Sequence, residues 1–142
     1  MKLTEAQKEL AATRGFRTTA VFRHHVGAGF INLDLGKARR RWDVSSSGTP
    51  DDRVQILTND SVVPALGPTF AYNRRLRPAI QLLYDPSTAA ARLFFDGRQQ
   101  IEGYRGHSQF LEGYGFFFGA WNQIGAARRG EIDYSLAMFE IR

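Results

Sequence analysis

Short apolar runs, each a few residues long and each closed by a turn signal, recur along this chain and direct it toward hairpins. The clearest example begins at Ala79–Tyr84, where Ile80, Leu82 and Tyr84 share one face at the two-residue period of a strand. Asp85-Pro86-Ser87-Thr88 turns the chain into a second run, Ala89–Phe95. Asp96-Gly97 then supplies the two-residue hairpin turn, because both positions tolerate positive φ. The same alternation predicts strands over Arg17–Arg23, Phe30–Asp34, Ala38–Val44, Arg53–Thr58, Phe116–Phe118 and Glu131–Ile141. Gly27-Ala28-Gly29 and the run from Ser45 to Asp52 read as turn and loop by composition. Pro64 and Pro68 confine any strand over Val62–Pro68 to a sheet edge, and Thr69–Tyr72 reads as a short strand. About ten strands at such spacing describe an all-β sandwich or barrel. No internal repeat is visible, which excludes propellers and solenoids.

The final run has an odd parity. Tyr134, Leu136 and Met138 share one face, whereas Phe139 and Ile141 share the other. A bulge, or burial on both faces, accounts for such a switch. Ahead of the strands lies a short helix, residues 1–14 in all. Thr4 and Gln7 have capping-box spacing, Glu5–Ala12 are good helix formers, and Gly15 is a stop.

At 142 residues the chain is one domain, large enough to bury its own core. The absence of Cys excludes a disulfide framework and thiolate metal sites. No apolar stretch approaches the ~20 residues of a membrane span. The N-terminal residues lack the apolar core of a signal peptide, which places the chain in the cytoplasm unless it is an excised piece. A net charge of +5, carried mostly by Arg, favours anionic partners through Coulomb attraction. The arginines are spread along the chain and not gathered in one run, the pattern of an ordinary solvated surface.

Several of these segments, in order, resemble the concanavalin A-like lectin/glucanase superfamily and its laminin G-like members. They are the Tyr84-Asp85-Pro86 strand end, the Leu93-Phe94-Phe95-Asp96-Gly97 hairpin, and Gly103-Tyr104-Arg105-Gly106. Phe117-Phe118-Gly119-Ala120 and the closing Phe139-Glu140-Ile141 follow. Gly15-Phe16-Arg17 with Phe22-Arg23 is similar to the first core strand of that group. The likeness covers most of residues 15–142, and each motif alone is short and degenerate. It implies a jelly-roll sandwich of two antiparallel sheets over residues 15–142. Members of the superfamily bind glycans, bind proteins or cleave polysaccharides, so fold does not settle function.

Its endo-β-glucanases carry Glu-Ile-Asp followed by a second Glu on one strand, and Gly130-Glu131-Ile132-Asp133 matches the first part. The third position here is Ser135 or Leu136, neither of which donates a proton to a leaving sugar. A glycosidase acting through Glu131 and Asp133 is therefore the lesser expectation. The greater is non-catalytic binding of a glycan or glycoprotein. Arg39 and Arg41 project together from one strand with Trp42 beside them, the pairing of a cationic fork with a stacking ring. The opposing expectation makes Trp42 a core residue. Trp121 and Asn122 near a strand end offer a ring and a directional amide. Asp51, Asp52, Asn59 and Asp60 offer oxygens to Ca²⁺, although no consensus loop is present and Asn59-Asp60 is more simply a turn pair. Nucleic acid is disfavoured, because alternation scatters Arg39, Arg40 and Arg41 over two faces. A protein-interaction or homo-oligomerising module completes the set of readings.

Overall fold

Helix α1 spans Glu5–Arg14 and forms for local reasons. The Thr4 hydroxyl accepts from the Gln7 backbone N–H at 3.2 Å, and the Gln7 side chain accepts from the Thr4 N–H at 2.9 Å. These two bonds satisfy donors that a helix start otherwise leaves free. At the other end Gly15 takes φ +94, a conformation that residues with a side chain rarely adopt. A Cβ there would lie 2.7 Å from the Tyr84 carbonyl oxygen, so the absence of a side chain also lets the chain approach its neighbour. The capping box and the glycine stop are both as the sequence predicts.

The computed structural model describes residues 1–26, 28–34, 41–47, 53–58, 65–71, 73, 76–106, 115–121 and 131–142. Ten strands follow α1: β1 Phe16–Val26, β2 Ala28–Asp34, β3 Arg41–Ser47, β4 Arg53–Thr58 and β5 Ala65–Ala71. The second half holds β6 Ala79–Asp85, β7 Ala90–Phe95, β8 Arg98–Tyr104, β9 Gly115–Trp121 and β10 Glu131–Ile141. They form two five-stranded sheets, β10-β1-β6-β7-β8 and β5-β4-β3-β2-β9. The pairings among the described strands are antiparallel, with β1 between β10 and β6 and β2 between β9 and β3. The successive strands β1 and β2 thus lie in different sheets, and so do their respective partners β10 and β9. This is the winding of a jelly roll.

Several segments differ from the sequence expectation, and β5 joins across Pro68 what reads as two separate strands. Ala28 and Gly29 belong to β2 and not to a turn. Ser45, Ser46 and Ser47 extend β3, paired with Phe30, Gly29 and Ala28. Partner strands supply their hydrogen bonds, and that outweighs a loop-like composition. β3 begins at Arg41, and residues 38–40 of the predicted strand lie outside the described residues. β5 carries Pro68 and lies at a sheet edge, where a missing N–H breaks no ladder. Asp96 and Gly97 both have positive φ, 48 and 75, as their hairpin requires.

The core lies between the sheets and is aromatic. Phe16 stacks on Tyr84 at 5.2 Å and meets Trp42 edge-on at 5.4 Å. Phe116 from the opposite sheet packs on Phe139 at 6.2 Å, and Phe118 meets Tyr134 edge-on at 4.9 Å. Leu3 and Ala11 bring α1 into the same cluster.

The switch in parity of β10 has a structural cause. Val21 pairs with Leu136 and Phe22 with Tyr134, so Ser135 is passed over as a bulge. Ile132 and Tyr134 pack on the core before it, and Ala137, Phe139 and Ile141 after it. Ser135 donates its hydroxyl to the Val21 carbonyl at 3.3 Å. β10 is an edge strand, and a bulge there interrupts the template that another strand would pair with.

Candidate functional site

Alternation that sends Phe16, Thr18, Ala20 and Phe22 of β1 into the sandwich sends Arg17, Thr19 and Val21 to the other face. The register aligns the outward residues in rows across the sheet. One row runs Glu140, Arg17, Leu83, Arg92. The next runs Met138, Thr19, Gln81, Phe94, Gln99 and crosses all five strands. Side chains within a row stand about 5 Å apart, and successive rows about 7 Å apart.

This face mixes polar side chains with Leu83, Met138 and the ring of Phe94. Gln81 Nε2 donates to Thr19 Oγ1 at 3.4 Å, near the limit of such a bond, so its amide retains capacity for another partner. Phe94 is half-buried, and Arg92 holds its guanidinium carbon 6.0 Å from the Phe94 ring centroid. That distance is the outer limit of a cation–π contact, which leaves the guanidinium loosely held. Arg17 Nε donates to Glu140 Oε2 at 2.7 Å. The bond holds the Glu140 carboxyl below its ordinary range and raises the guanidinium further above its own. One row beyond, Asp85 Oδ1 accepts from the Ser87 hydroxyl at 2.6 Å and the Ser87 N–H at 2.9 Å. These bonds, the hydroxyl's first, keep Asp85 ionised to lower pH than usual, and Arg92 and Arg142 add attraction.

At the far end of the same strand pair, His25 Nε2 lies 2.8 Å from Asp133 Oδ2. An ionised carboxylate has no proton to give, so the nitrogen is the donor. This bond is the main reason the Asp133 carboxyl is held below its ordinary range, with Arg77 and Arg23 contributing. Glycosidic acid/base work needs a carboxyl kept protonated and a second about 5–5.5 Å away in the retaining case. Asp133 is biased toward the charged form. Glu131, whose side chain lies outside the described residues, pairs through its backbone with Val26. The bulge at Ser135 leaves the 42% exposed Leu136 where such an acid would stand.

The residues predicted to bind ligand fall into different places. Trp42 is corrected: it is 1% exposed, and its indole N–H donates to the Tyr104 carbonyl at 3.1 Å. Its ring lies 4.9 Å from that of Tyr84. A ring enclosed on its faces with its one donor satisfied does not stack on an external sugar. Arg41 pairs by backbone with the Asp34 position of β2, and Trp121 with the Ala28 position. Six extended residues separate those positions, about 20 Å, so the two do not form one small site. Arg39 and Asn122 lie outside the described residues.

Asp51, Asp52, Asn59 and Asp60 also lie outside them. The extended strand β4 stands between the two pairs, with its ends about 17 Å apart. Among the described residues no group of three or more His, Asp or Glu is placed to hold a metal ion. No described helix is long and apolar enough to cross a membrane.

The Gln81–Phe94 surface was not singled out from the sequence. Its signal was present as the complement of the apolar face of Ala79–Tyr84, but neighbours across strands are not visible in a linear chain.

No protein-family model and no curated protein matches this chain. Among solved structures it is similar to the carbohydrate-binding module CBM66 from Bacillus subtilis. The TM-score is 0.59 at 14% identity, covering 88% of this chain and 74% of that one. Sheep galectin-11 in complex with glycerol gives a TM-score of 0.43 at 11% identity, over 98% and 93% of the two chains. The first likeness concerns the fold, a jelly-roll sandwich also used by a carbohydrate-binding module.

Proposed function

We propose that this chain is a non-catalytic glycan-binding module whose ligand lies across the outward rows of the sheet β10-β1-β6-β7-β8. The observation that carries this reading is the row Gln81, Phe94, Gln99, with a half-buried ring between two amide side chains. A sugar has an apolar C–H face and a rim of hydroxyls. A ring takes the first, and planar amides, which both donate and accept, take the second. The fold shared with a carbohydrate-binding module supports this reading and does not identify the sugar. The finer kinship with concanavalin A-like or laminin G-like domains rests on the short motifs from Tyr84 to Ile141.

A printed glycan array probed with the wild type and with Phe94→Ala tests the proposal. Retained folding with binding reduced at least tenfold supports it. The comparison variant is Trp121→Ala with Asn122→Ala, and a second replaces Arg39 and Arg41 by Gln. If one of these abolishes binding while Phe94→Ala does not, the site belongs on the opposite sheet. No bound glycan at all removes the lectin reading and leaves the protein-interaction reading.

A further inference from the structure

Among the described residues, the outward face presents an arginine without an ion pair beside its ring, and this bears on which glycans it would take; the inference rests on the glycan-binding reading above. Three arginines, Arg17, Arg92 and Arg142, occupy the end of the face that also holds Asp85 and Glu140. Both carboxylates are engaged. Glu140 is bound by Arg17 at 2.7 Å, and Asp85 Oδ1 is closed by the two donors of Ser87. Among the described residues neither Arg92 nor Arg142 makes an ion pair, and both act on Asp85 only from beyond contact distance. Glu102, in the segment of β8 that passes Arg92, is exposed and makes no ion pair with it, so the patch keeps one guanidinium with its donors free.

That guanidinium sits next to the ring. Arg92 precedes Phe94 by two residues on β7, and both point outward. Gln81 lies beside Phe94 on β6. A carboxylated sugar resting a C–H face on Phe94 would bring its carboxylate toward Arg92, whose planar fork matches two carboxylate oxygens. Its hydroxyls would meet Gln81 and Gln99. A neutral sugar would leave the guanidinium without a partner.

We infer that the patch formed by Arg92, Phe94 and Gln81 selects acidic glycans bearing a carboxylate, as uronic acids do, over their neutral counterparts.

The test is an array that carries each carboxylated glycan beside its methyl ester, which keeps the shape and removes the charge. The acid should bind about tenfold more tightly than the ester, the usual worth of one charge-assisted contact. Arg92→Gln should erase that difference, and Arg92→Lys should restore part of it, because a point charge replaces a fork. Arg77→Gln removes the same charge from the distant end of the sheet and should change nothing. Raised salt should weaken the acid and leave the ester unaffected. Urea midpoints check that each variant is folded. Esters that bind as well as acids, or an Arg92→Gln variant that keeps the preference, would overturn the inference and leave glycan binding intact. Failure of the wild type to bind any acid or ester overturns both.

Discussion

The two faces of the sheet β10-β1-β6-β7-β8 are built from the same strands and obey different rules. The inward face is filled by Phe16, Phe22, Leu82, Leu93 and their neighbours, which share one core cluster with Trp42, Val44 and Phe116 of the other sheet and with Ala11 of α1. Among the described residues the outward face is tied by contacts within its own sheet, such as Arg17 with Glu140 and Gln81 with Thr19. A change on the inward face opens a void that the sandwich cannot close. A change at an exposed position of the outward face, such as Arg92 or Gln99, meets solvent. Stability and binding are thus separable along single strands, one residue apart.

The largest effect should come from Phe16→Ala. The ring is fully buried against Trp42, Tyr84 and Phe139, and its loss should destabilise by about 3–5 kcal/mol in urea unfolding. A loss below about 1 kcal/mol would show that the described packing is not the core. Next is Gly15→Ala, where the chain enters β1. Its φ and the 2.7 Å approach to Tyr84 predict destabilisation on the order of 1–3 kcal/mol. Thr4→Ala removes a capping-box acceptor and should cost about 1 kcal/mol, visible as a lower urea midpoint and helix signal. Phe94→Ala should destabilise less than a third as much as Phe16→Ala while abolishing glycan binding. If the two variants lose stability equally, the distinction between the faces is wrong.

The smallest effect concerns pH. Asp85, Asp133 and Glu140 have folded pKa values below their ordinary 3.8, 3.8 and 4.5. In that range the unfolded chain binds more protons than the folded one, so stability rises with pH. The contribution is complete above about pH 4.5 and is lost as pH falls through the depressed values. All three groups are exposed, so solvent screening keeps the slope shallow. Urea midpoints between about pH 6 and pH 2.5 should decline gently, and Asp133→Asn should flatten part of the decline. A midpoint that rises on acidification contradicts these ion pairs.

Much of the architecture was legible because it rests on local chemistry. The Thr4–Gln7 box, the Gly15 stop, the Asp96-Gly97 hairpin and the bounds of Arg53–Thr58 and Glu131–Ile141 need only neighbours in the chain. A bulge in β10 was legible but not its place: Tyr134 packs on the core with Phe139 and Ile141, and Leu136, expected on the face of Tyr134, points outward. Misreadings fell where composition and pairing disagree. Ser45–Ser47 looks like a loop alone and is a strand beside Phe30.

The candidate site was legible only in outline. Alternation places Arg92 and Phe94 on the face opposite Leu93, but it does not say which residues lie beside them. Gln81 comes there because β6 pairs with β7, and Thr19 because β1 pairs with β6 across more than fifty residues of chain. The same long-range pairing took Trp42 out of the binding role. Its aromatic character and its place beside Arg41 are facts of the chain. Its burial follows from Tyr84, Phe16 and Tyr104, which only the folded sandwich brings around it. Periodicity acts over a few residues and so assigned strands and faces. Register joins distant residues, and through it alone Gln81 and Gln99 came to flank the ring that β7 supplies.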